Sequence, residues 1–257
     1  MKKKILEIIK KKNKQKIVTL TAYSKNVATI LDKYCDIILV GDSLASVLYN
    51  YKTTREVSLE MMIEHSRSVR MGIKKNLMVV DMPHNTYRNS NEALKNAKKI
   101  MSKTKCDAVK LEGGKKIYEI IKTLVKNKIP VMGHLGLLPQ SDMTFKFKGK
   151  KIIERNEILK DAQLLEKAGV FSIVLECVET SLAKLITKNI KVPTIGIGSS
   201  KYCDGQILVF DDLIGLNPVN YKFVKKYSNI RKEISKAVLN YSREVRKIKF
   251  PNKKYSY

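Results

Sequence analysis

The stretch that decides the fold is Asp36-Ile37-Ile38-Leu39-Val40-Gly41-Asp42-Ser43, a short apolar run that ends in groups able to do chemistry. Side chains alternate along a β-strand, so Ile38 and Val40 face one side while Ile37 and Leu39 face the other. By the same alternation, Asp42 is expected on the side of Ile38 and Val40. A run that is apolar on both faces is typical of a parallel strand covered on both sides.

Four more segments before residue 200 follow the same plan. Each is a short apolar run that ends in a polar group, and they are Leu77–Asp81, Ala108–Glu112, Val131–His134 and Ile173–Glu176. Further runs at 17–21, 193–198 and 207–210 bring the strands to eight, with helix-period segments between them. This alternation predicts one α/β domain over residues 1–257, a (β/α)8 TIM barrel. A doubly wound open sheet is the alternative.

The predicted helices occupy residues 24–34, 58–71, 90–101, about 115–125, 157–168 and 181–187. A short amphipathic helix is expected at the N-terminus, and a long basic helix over about 222–247. The longest predicted loop, residues 136–156, follows the fifth strand, and loops of that length are usually functional or disordered.

Charge is the most unusual feature of the composition. The 257 residues carry a formal net charge of +27, which suggests a polyanionic partner until the positions of the lysines are considered. Lysines occur in almost every predicted helix, and the sequence has neither a nucleic-acid motif nor aromatic residues interleaved with the basic ones. We interpret the charge as solvated helix faces and expect no specific nucleic-acid partner, with a real polyanion role as the alternative.

The cellular compartment is predicted from the cysteines and the N-terminus. Cys35, Cys106, Cys177 and Cys203 form no Cys-x-x-Cys pair, and most adjoin predicted strands, which fits a reducing cytosol. Glu7 and the lysines from Lys10 interrupt any signal-peptide apolar region. No run approaches the roughly 20 apolar residues of a membrane span. A cytoplasmic protein without a membrane partner is expected.

Ionisable residues stand at the ends of five predicted strands, namely Asp42, Asp81, Glu112, His134 and Glu176. In a parallel barrel these ends meet on one face, where catalytic groups lie. Four carboxylates in one pocket need compensating charge, because like charges raise each other's pKa. An oxygen-only ligand set favours Mg²⁺, which leaves positions open for a chelating α-keto acid. Lys110, two residues before Glu112 and on the same side of the strand, is a candidate anchor for that ligand.

Each of these residues also has an ordinary structural interpretation. A single Asp or Glu at a strand end often caps the next helix, and a single buried His is more often structural than a ligand. Gly196-Ile197-Gly198-Ser199-Ser200 could form a phosphate-binding turn, although a short glycine-rich loop is weak support. The common register of five strand ends is what favours a functional site.

Six motifs in order resemble one known family. They are Leu39-Val40-Gly41-Asp42-Ser43-Leu44; Val109-Lys110-Leu111-Glu112-Gly113-Gly114; Gly133-His134-Leu135-Gly136-Leu137 with Pro139-Gln140-Ser141; Val174-Leu175-Glu176-Cys177; Ile195-Gly196-Ile197-Gly198; and Asp204-Gly205-Gln206-Ile207-Leu208-Val209. Together they resemble the ketopantoate hydroxymethyltransferases of pantothenate biosynthesis. The resemblance runs from about residue 19 to residue 211.

The resemblance implies a barrel of the phosphoenolpyruvate/pyruvate type, assembled as a homodecamer of two pentameric rings. It implies transfer of a one-carbon unit from 5,10-methylenetetrahydrofolate to 3-methyl-2-oxobutanoate, with Mg²⁺ as cofactor and with 2-dehydropantoate and tetrahydrofolate as products. The keto acid and the folate are therefore the expected small-molecule partners.

The resemblance also implies residue roles. By motif match, Asp42 and Asp81 are expected to ligate Mg²⁺, with Glu112 completing the metal site, directly or through water. Asp42, Ser43, Asp81 and Lys110 are expected to line the keto acid. Glu176 is expected to be the proton acceptor, and His134 to lie near the new hydroxymethyl group.

Three segments depart from the family pattern. Ser199-Ser200 replaces the usual Ala-Gly, Phe145-Lys146-Phe147-Lys148 replaces a Gly-Gly-Tyr segment, and the chain ends in Tyr255-Ser256-Tyr257. The rival interpretations are a carbon–carbon lyase or phosphonomutase on the same type of barrel, a basic nucleic-acid-binding protein, and a barrel that has lost its activity. A lyase of this group is expected to use a reactive cysteine, whereas Cys177 should face away from Glu176.

Overall fold

The computed structural model describes residues 3–142 and 146–257. The chain divides into two compact units, Met1–Val209 and Phe210–Tyr257, and each is described by itself. The prediction of one domain over residues 1–257 stays a prediction.

Within the described part of the first unit, eight parallel strands pair in sequence order and close into a barrel. The strands are β1 (Ile17–Thr21), β2 (Ile37–Val40), β3 (Leu77–Asp81), β4 (Ala108–Glu112), β5 (Val131–Gly136), β6 (Ser172–Glu176), β7 (Thr194–Ile197) and β8 (Gly205–Leu208). Pairing of β1 with β8, Ile17 opposite Gly205, closes the ring. The predicted barrel is confirmed, and the open sheet is excluded.

The helices of this unit are α1 (Lys3–Lys10), α2 (Lys25–Leu31), α3 (Leu44–Leu48), α4 (Leu59–Gly72), α5 (Ser90–Thr104), α6 (Tyr118–Lys126), α7 (Ile152–Ala168) and α8 (Thr180–Asn189). Helix α4 begins where predicted, because the Ser58 side chain accepts a hydrogen bond from the Met61 N–H. Helix α7 begins five residues earlier than predicted. Its N-cap, Lys151, makes no side-chain cap, so the sequence holds no start signal there.

Strand β8 also begins earlier than predicted, at Gly205 rather than at Ile207. A Cβ atom on Gly205 would lie 2.5 Å from the Ile17 carbonyl oxygen, so glycine permits the close approach that pairs β8 with β1. An apolar pattern does not reveal such a residue.

The barrel interior is filled by side chains that share one face of each strand. They include Ile37 and Leu39 of β2, Leu77 and Val79 of β3, Ala108, Met132, Val174, Ile195 and Ile207. Ile5 and Ile8 of α1 join the same cluster at the N-terminal end of the strands. Burial of each large aliphatic side chain contributes about 1.5–3 kcal/mol. The predicted N-terminal helix therefore closes the end of the barrel opposite the strand-end carboxylates.

Strand β2 ends at Val40, and residues 41–43 leave it in a turn. Strict alternation would have placed Asp42 with Ile38 and Val40, on the face away from Ile37 and Leu39. Instead, the turn brings Asp42 to the barrel mouth, where its N–H donates to the Asp81 carboxylate. The expectation that Asp42 lies on the side of Ile38 and Val40 was wrong, because side chains alternate only as far as the strand extends.

The second unit contains helices α9 (Phe210–Leu213) and α10 (Ile230–Arg246). The basic helix is thus shorter than predicted and starts after Asn229, whose side chain accepts from the Lys232 N–H. No residue of α10 is buried. None of the described helices, in either unit, is long and apolar enough to cross a membrane.

Candidate active site

Five charged or titratable side chains enter the barrel mouth from four neighbouring strands, β3 to β6. Asp81, Glu112 and Glu176 are the last residues of β3, β4 and β6, while Lys110 and His134 lie two residues before the ends of β4 and β5. The even spacing places all of them on the inner faces. Asp81, Lys110, Glu112 and His134 are each at most 5% exposed.

Lys110 is a buried cation that pairs with Asp81 and lies beside the His134 ring. Its Nζ lies 3.1 Å from Asp81 Oδ1 and 3.3 Å from His134 Nδ1. Burial lowers the pKa of Lys110, but the carboxylates of Asp81, Glu112 and Asp42 outweigh burial and raise it. The ammonium is therefore retained in the barrel without contact with bulk water.

His134 bridges two carboxylates. Its Nδ1 lies 3.3 Å from Glu112 Oε1, and its Nε2 lies 3.2 Å from Glu176 Oε2. Burial and the Lys110 ammonium lower the pKa of His134, but the two carboxylates prevail and raise it to about 9. A protonated ring donates from both nitrogens, so His134 fixes the spacing of Glu112 and Glu176.

Asp42 and Asp81 form the acidic side of the cluster. The Asp42 N–H donates to Asp81 Oδ2 at 3.0 Å. Burial, followed by the charges of Asp81 and Glu112, raises the pKa of Asp42 well above its ordinary value, although Lys110 and Gln140 oppose the shift. Burial also raises the pKa of Asp81 against the effect of Lys110. Burial is thus the main factor that disfavours the charged forms of both side chains.

Gln140 joins this cluster from the loop between β5 and α7, and it was not predicted as a site residue. Its Nε2 donates to Asp42 Oδ2 at 2.7 Å, and its backbone N–H donates to Glu112 Oε2 at 3.0 Å. In the sequence it stood only as part of the motif Pro139-Gln140-Ser141. A polar residue in the longest loop, just beyond a strand end, is the signal that could have identified it.

Ser43 is the one predicted site residue whose described side-chain contact lies outside the cluster. Its Oγ lies 2.7 Å from the hydroxyl of Tyr23, which follows β1. The structure therefore brings together Asp42, Asp81, Lys110, Glu112, His134 and Glu176, and it places Ser43 beside them on Tyr23.

The chemistry of the donor set fits a divalent cation. Asp81 Oδ1 and Glu112 Oε1 are buried, and they contact Lys110 Nζ at 3.1 Å and His134 Nδ1 at 3.3 Å. In residues 3–142 and 146–257, no group of three or more His, Cys, Asp or Glu side chains is placed to hold a metal ion. Mg²⁺ commonly takes only one or two carboxylates and keeps water or substrate oxygens in its other positions. The pair Asp42 and Asp81 meets that requirement, while Glu112 is engaged by Gln140 and His134.

Two of the departures from the family pattern follow strands β5 and β7 in the chain. Ser199 Oγ donates to the Val178 carbonyl at 3.1 Å, and the Ser200 carbonyl accepts from Gln206 Nε2 at 2.9 Å, so this loop is anchored. The Phe145 position of the second departure, with Met143 and Thr144, lies outside the described residues. Burial raises the pKa of the Cys177 thiol to about 11, so this cysteine is a poor nucleophile.

A sequence model of the ketopantoate hydroxymethyltransferases matches residues 2–253 of the chain. The chain belongs to this family. The 3-methyl-2-oxobutanoate hydroxymethyltransferase of Pelagibacter ubique is 71% identical over the whole of both chains. That of Anaplasma marginale (strain St. Maries) is 46% identical over 98% of this chain and 92% of its own length.

Solved structures of low sequence identity share the barrel. Phosphonopyruvate hydrolase in complex with oxalate and Mg²⁺ superposes with a TM-score of 0.64 at 12% identity, covering 98% of this chain and 93% of that one. A 2,3-dimethylmalate lyase of the phosphoenolpyruvate mutase/isocitrate lyase superfamily gives 0.64 at 12% identity, covering 100% and 89%. The chain is thus a TIM-barrel transferase that belongs to a family of pantothenate biosynthesis, as its motifs predicted.

Proposed function

We propose that the strand-end cluster binds Mg²⁺ and 3-methyl-2-oxobutanoate together and removes the proton from C3 of the keto acid. The composition of the cluster carries this proposal. Four acidic side chains, Asp42, Asp81, Glu112 and Glu176, lie around Lys110 and His134 at one end of the barrel. A cluster with more acidic than basic groups, whose acidic members offer oxygen ligands, suits a hard divalent cation.

Asp42 and Asp81 are the residues we assign to Mg²⁺, with Glu112 acting through water. When bound, Mg²⁺ supplies a Lewis acid that stabilises negative charge on the keto oxygen. Oxalate, which accompanies Mg²⁺ in the phosphonopyruvate hydrolase structure, has two adjacent oxygen-bearing carbons like an α-keto acid. That complex supports a chelating mode for the keto acid here.

Lys110 is assigned to the keto acid because its ammonium is preorganised beside Asp81 and needs no reorientation. A buried cation aimed at developing negative charge stabilises an enolate more strongly than it would in water. Ser43, next to Asp42, is assigned to the substrate carboxylate, with Tyr23 orienting its hydroxyl.

Glu176 is assigned as the base. Its side chain is 17% exposed, against 5% or less for the buried members of the cluster, so it lies where a substrate enters. His134 holds Oε2, and Oε1 is the atom we assign to the C3 proton. A carboxylate positioned in this way contributes about 10²–10⁴-fold as a general base.

The second half of the reaction needs 5,10-methylenetetrahydrofolate. The methylene carbon exchanges its two bonds to folate nitrogens for one bond to C3 and one to a water oxygen. The C3 proton and one water proton finish on the two folate nitrogens, which balances the formation of 2-dehydropantoate and tetrahydrofolate.

The experiment is proton NMR of the keto acid in D₂O with purified protein. We expect the C3 proton signal to disappear when Mg²⁺ is added, and 2-dehydropantoate to appear when the folate follows. Glu176→Gln should still bind Mg²⁺ and keto acid but should lose exchange by about 10²-fold or more. Undiminished exchange in that variant would remove Glu176 as the base, and no exchange in the wild type would contradict the enolising site.

Assembly and location are also proposals. We infer a cytoplasmic homodecamer, supported by the assembly of the family and by the absence of disulfides among the cysteines, all of which are free. Sedimentation equilibrium should give ten times the mass of the chain, and a monomer or dimer would contradict this.

A further inference from the structure

We propose that Gln140 is a positioning residue of the metal site, and that Tyr87 acts through it. Gln140 would hold the Asp42 and Glu112 carboxylates in the orientations that serve Mg²⁺, while Tyr87 sets the orientation of the Gln140 amide. This inference rests on the proposed function, because it concerns the same metal site.

Gln140 is 2% exposed and contacts both sides of the acidic cluster. Besides its 2.7 Å bond to Asp42 Oδ2, its Nε2 donates to the Met82 carbonyl at 3.0 Å. Its backbone N–H donates to Glu112 Oε2 at 3.0 Å. One loop residue therefore occupies one oxygen of each carboxylate and directs the other oxygen away from itself.

The orientation of the Gln140 amide follows from its partners. The Met82 carbonyl can only accept a hydrogen bond, and the same Nε2 atom also lies against Asp42 Oδ2, so the NH₂ side of the amide faces both. Oε1 is thereby turned toward Tyr87, whose hydroxyl donates to it at 2.5 Å. The Tyr87 hydroxyl thus donates to the amide in this orientation. It would disfavour an amide rotated by 180°, which would place its NH₂ group against that donor.

The backbone at Gln140 is held from a different loop. Arg55 Nε donates to the Gln140 carbonyl at 2.9 Å, and Arg55 Nη2 donates to the Ser141 carbonyl at 2.7 Å. Arg55 itself lies in a short 3₁₀ turn, Thr54–Glu56, which a capping box between Thr53 and Glu56 stabilises. The β5–α7 loop is therefore fixed at the point where Gln140 enters the site.

The physical effect concerns rotation of the Asp42 carboxylate. The terminal torsion of an aspartate is broad, so a carboxylate without a fixed partner samples many orientations. A donor at 2.7 Å restricts it before the metal arrives. Removal of such outer partners typically costs about 10–100-fold in metal affinity or activity.

The test is isothermal titration of Mg²⁺ into the full-length protein without substrate. We expect Gln140→Leu to raise the Mg²⁺ dissociation constant about 10–100-fold, and Tyr87→Phe to raise it by less. In the double variant the effects of the two substitutions should combine to less than their sum, because Tyr87 acts in part through that amide and in part through its own contact with Glu112. Gln163→Leu, the same change at an exposed position of α7, is the matched control and should bind Mg²⁺ like the wild type.

The outcomes separate the two proposals. A wild type that binds no Mg²⁺ would overturn the proposed function and this inference with it. A wild type that binds Mg²⁺, with Gln140→Leu binding equally well, would overturn this inference alone, even if that variant melts earlier. If Gln140→Leu does not fold, Tyr87→Phe decides, and an unchanged Mg²⁺ dissociation constant in that variant contradicts the inference.

Discussion

At the scale of single residues, the site combines buried charges that the protein by itself does not balance. Asp42 is 5% exposed, and Asp81 and Glu112 stand on the same rim. Buried charges are tolerated only with partners or a metal. Under the proposed function, Mg²⁺ binding would offset part of the free energy that folding loses at this rim.

Asp42→Asn should therefore stabilise the metal-free protein and abolish its response to Mg²⁺. Because burial raises the pKa of Asp42 in the folded state, ionisation of this group disfavours folding once the pH exceeds its ordinary value. Relief of a destabilised active site commonly adds about 0.5–2 kcal/mol, or roughly 2–4 °C in Tm per kcal/mol for a chain of this size.

The measurement is the Tm in EDTA and in Mg²⁺ at neutral pH. The wild type should gain Tm with Mg²⁺ and the variant should not. In EDTA the difference between the two proteins should vanish near pH 4 and below, where Asp42 is protonated in both states. A variant with a lower Tm than the wild type in EDTA would show that the Asp42 charge does not destabilise the metal-free protein.

At the scale of elements, the ends of neighbouring strands determine where Glu176, the proposed base, lies. Gly136 ends β5 with φ at +97°, and a Cβ there would lie 2.2 Å from the Glu176 carbonyl oxygen. Glycine is required on both grounds, backbone conformation and space. The end of β5 can therefore pack directly against the end of β6.

Gly136→Ala should cost about 1–3 kcal/mol of unfolding free energy from backbone strain alone, with more from displacement of Glu176. It should also slow C3 proton exchange. Urea denaturation and exchange in D₂O measure the two effects. Gly133→Ala on the same strand is the control, because its Cβ would meet only the flexible end of Leu165 at 2.8 Å, and a loss as large as that of Gly136→Ala would contradict the argument.

Helix α8 offers a pH-dependent test at the element scale. The Glu179 carboxylate caps it by accepting from the Ser181 and Leu182 N–H groups, and it pairs with Arg155 at 3.1 Å. Hydrogen bonds from the Ser181 side chain and backbone lower the pKa of Glu179 to about 2. A lowered pKa in the folded state stabilises the protein at pH values above the ordinary pKa of a glutamate. That stabilisation is lost as the pH falls toward about 2.

Glu179→Gln should therefore lower the Tm at neutral pH, and its deficit relative to the wild type should shrink below about pH 4.5. Thermal melts from pH 7 to pH 3 follow it. A deficit that is constant across this range would mean that the charge of Glu179 does not contribute to the cap.

At the scale of the whole molecule, the net charge is +27. The strand-end cluster is acidic, so it does not account for this excess of positive charge. The lysines lie over the helices, and of the described ion pairs several are on exposed side chains, such as Lys99 with Glu60. Surface pairs of this kind contribute little to stability. We therefore expect the charge to determine colloidal behaviour rather than chemistry.

Binding to random duplex DNA should be weak, independent of sequence and lost between about 50 and 200 mM NaCl. Hydroxymethyl transfer should be unaffected by added DNA, because the substrates enter an acidic barrel mouth. Fluorescence anisotropy at two salt concentrations, with a scrambled duplex as control, measures the first claim. Binding to one DNA sequence that persists at the higher salt concentration would instead support a nucleic-acid-binding function.

The sequence alone predicted the barrel, which the structure confirms, and it indicated which strand-end side chains would lie close together. Doubly apolar runs such as Ile37–Val40 require cover on both faces, and their alternation with helices leaves the parallel barrel as the compact solution. A short stretch of sequence is enough to show that an ionisable residue lies near the end of its strand. This holds for Asp81, Lys110, Glu112, His134 and Glu176. A hard divalent metal stays a prediction from the chemistry of these side chains.

The tertiary structure alone decided how these groups are connected. Asp42 reaches the cluster through a turn, against the alternation of its strand, and Gln140 reaches it from a loop that is distant in sequence. Ser43 is held by Tyr23 rather than by the acids. Such contacts depend on loop paths and on a ring that closes between β1 and β8, and no pattern within a short stretch of sequence encodes either one.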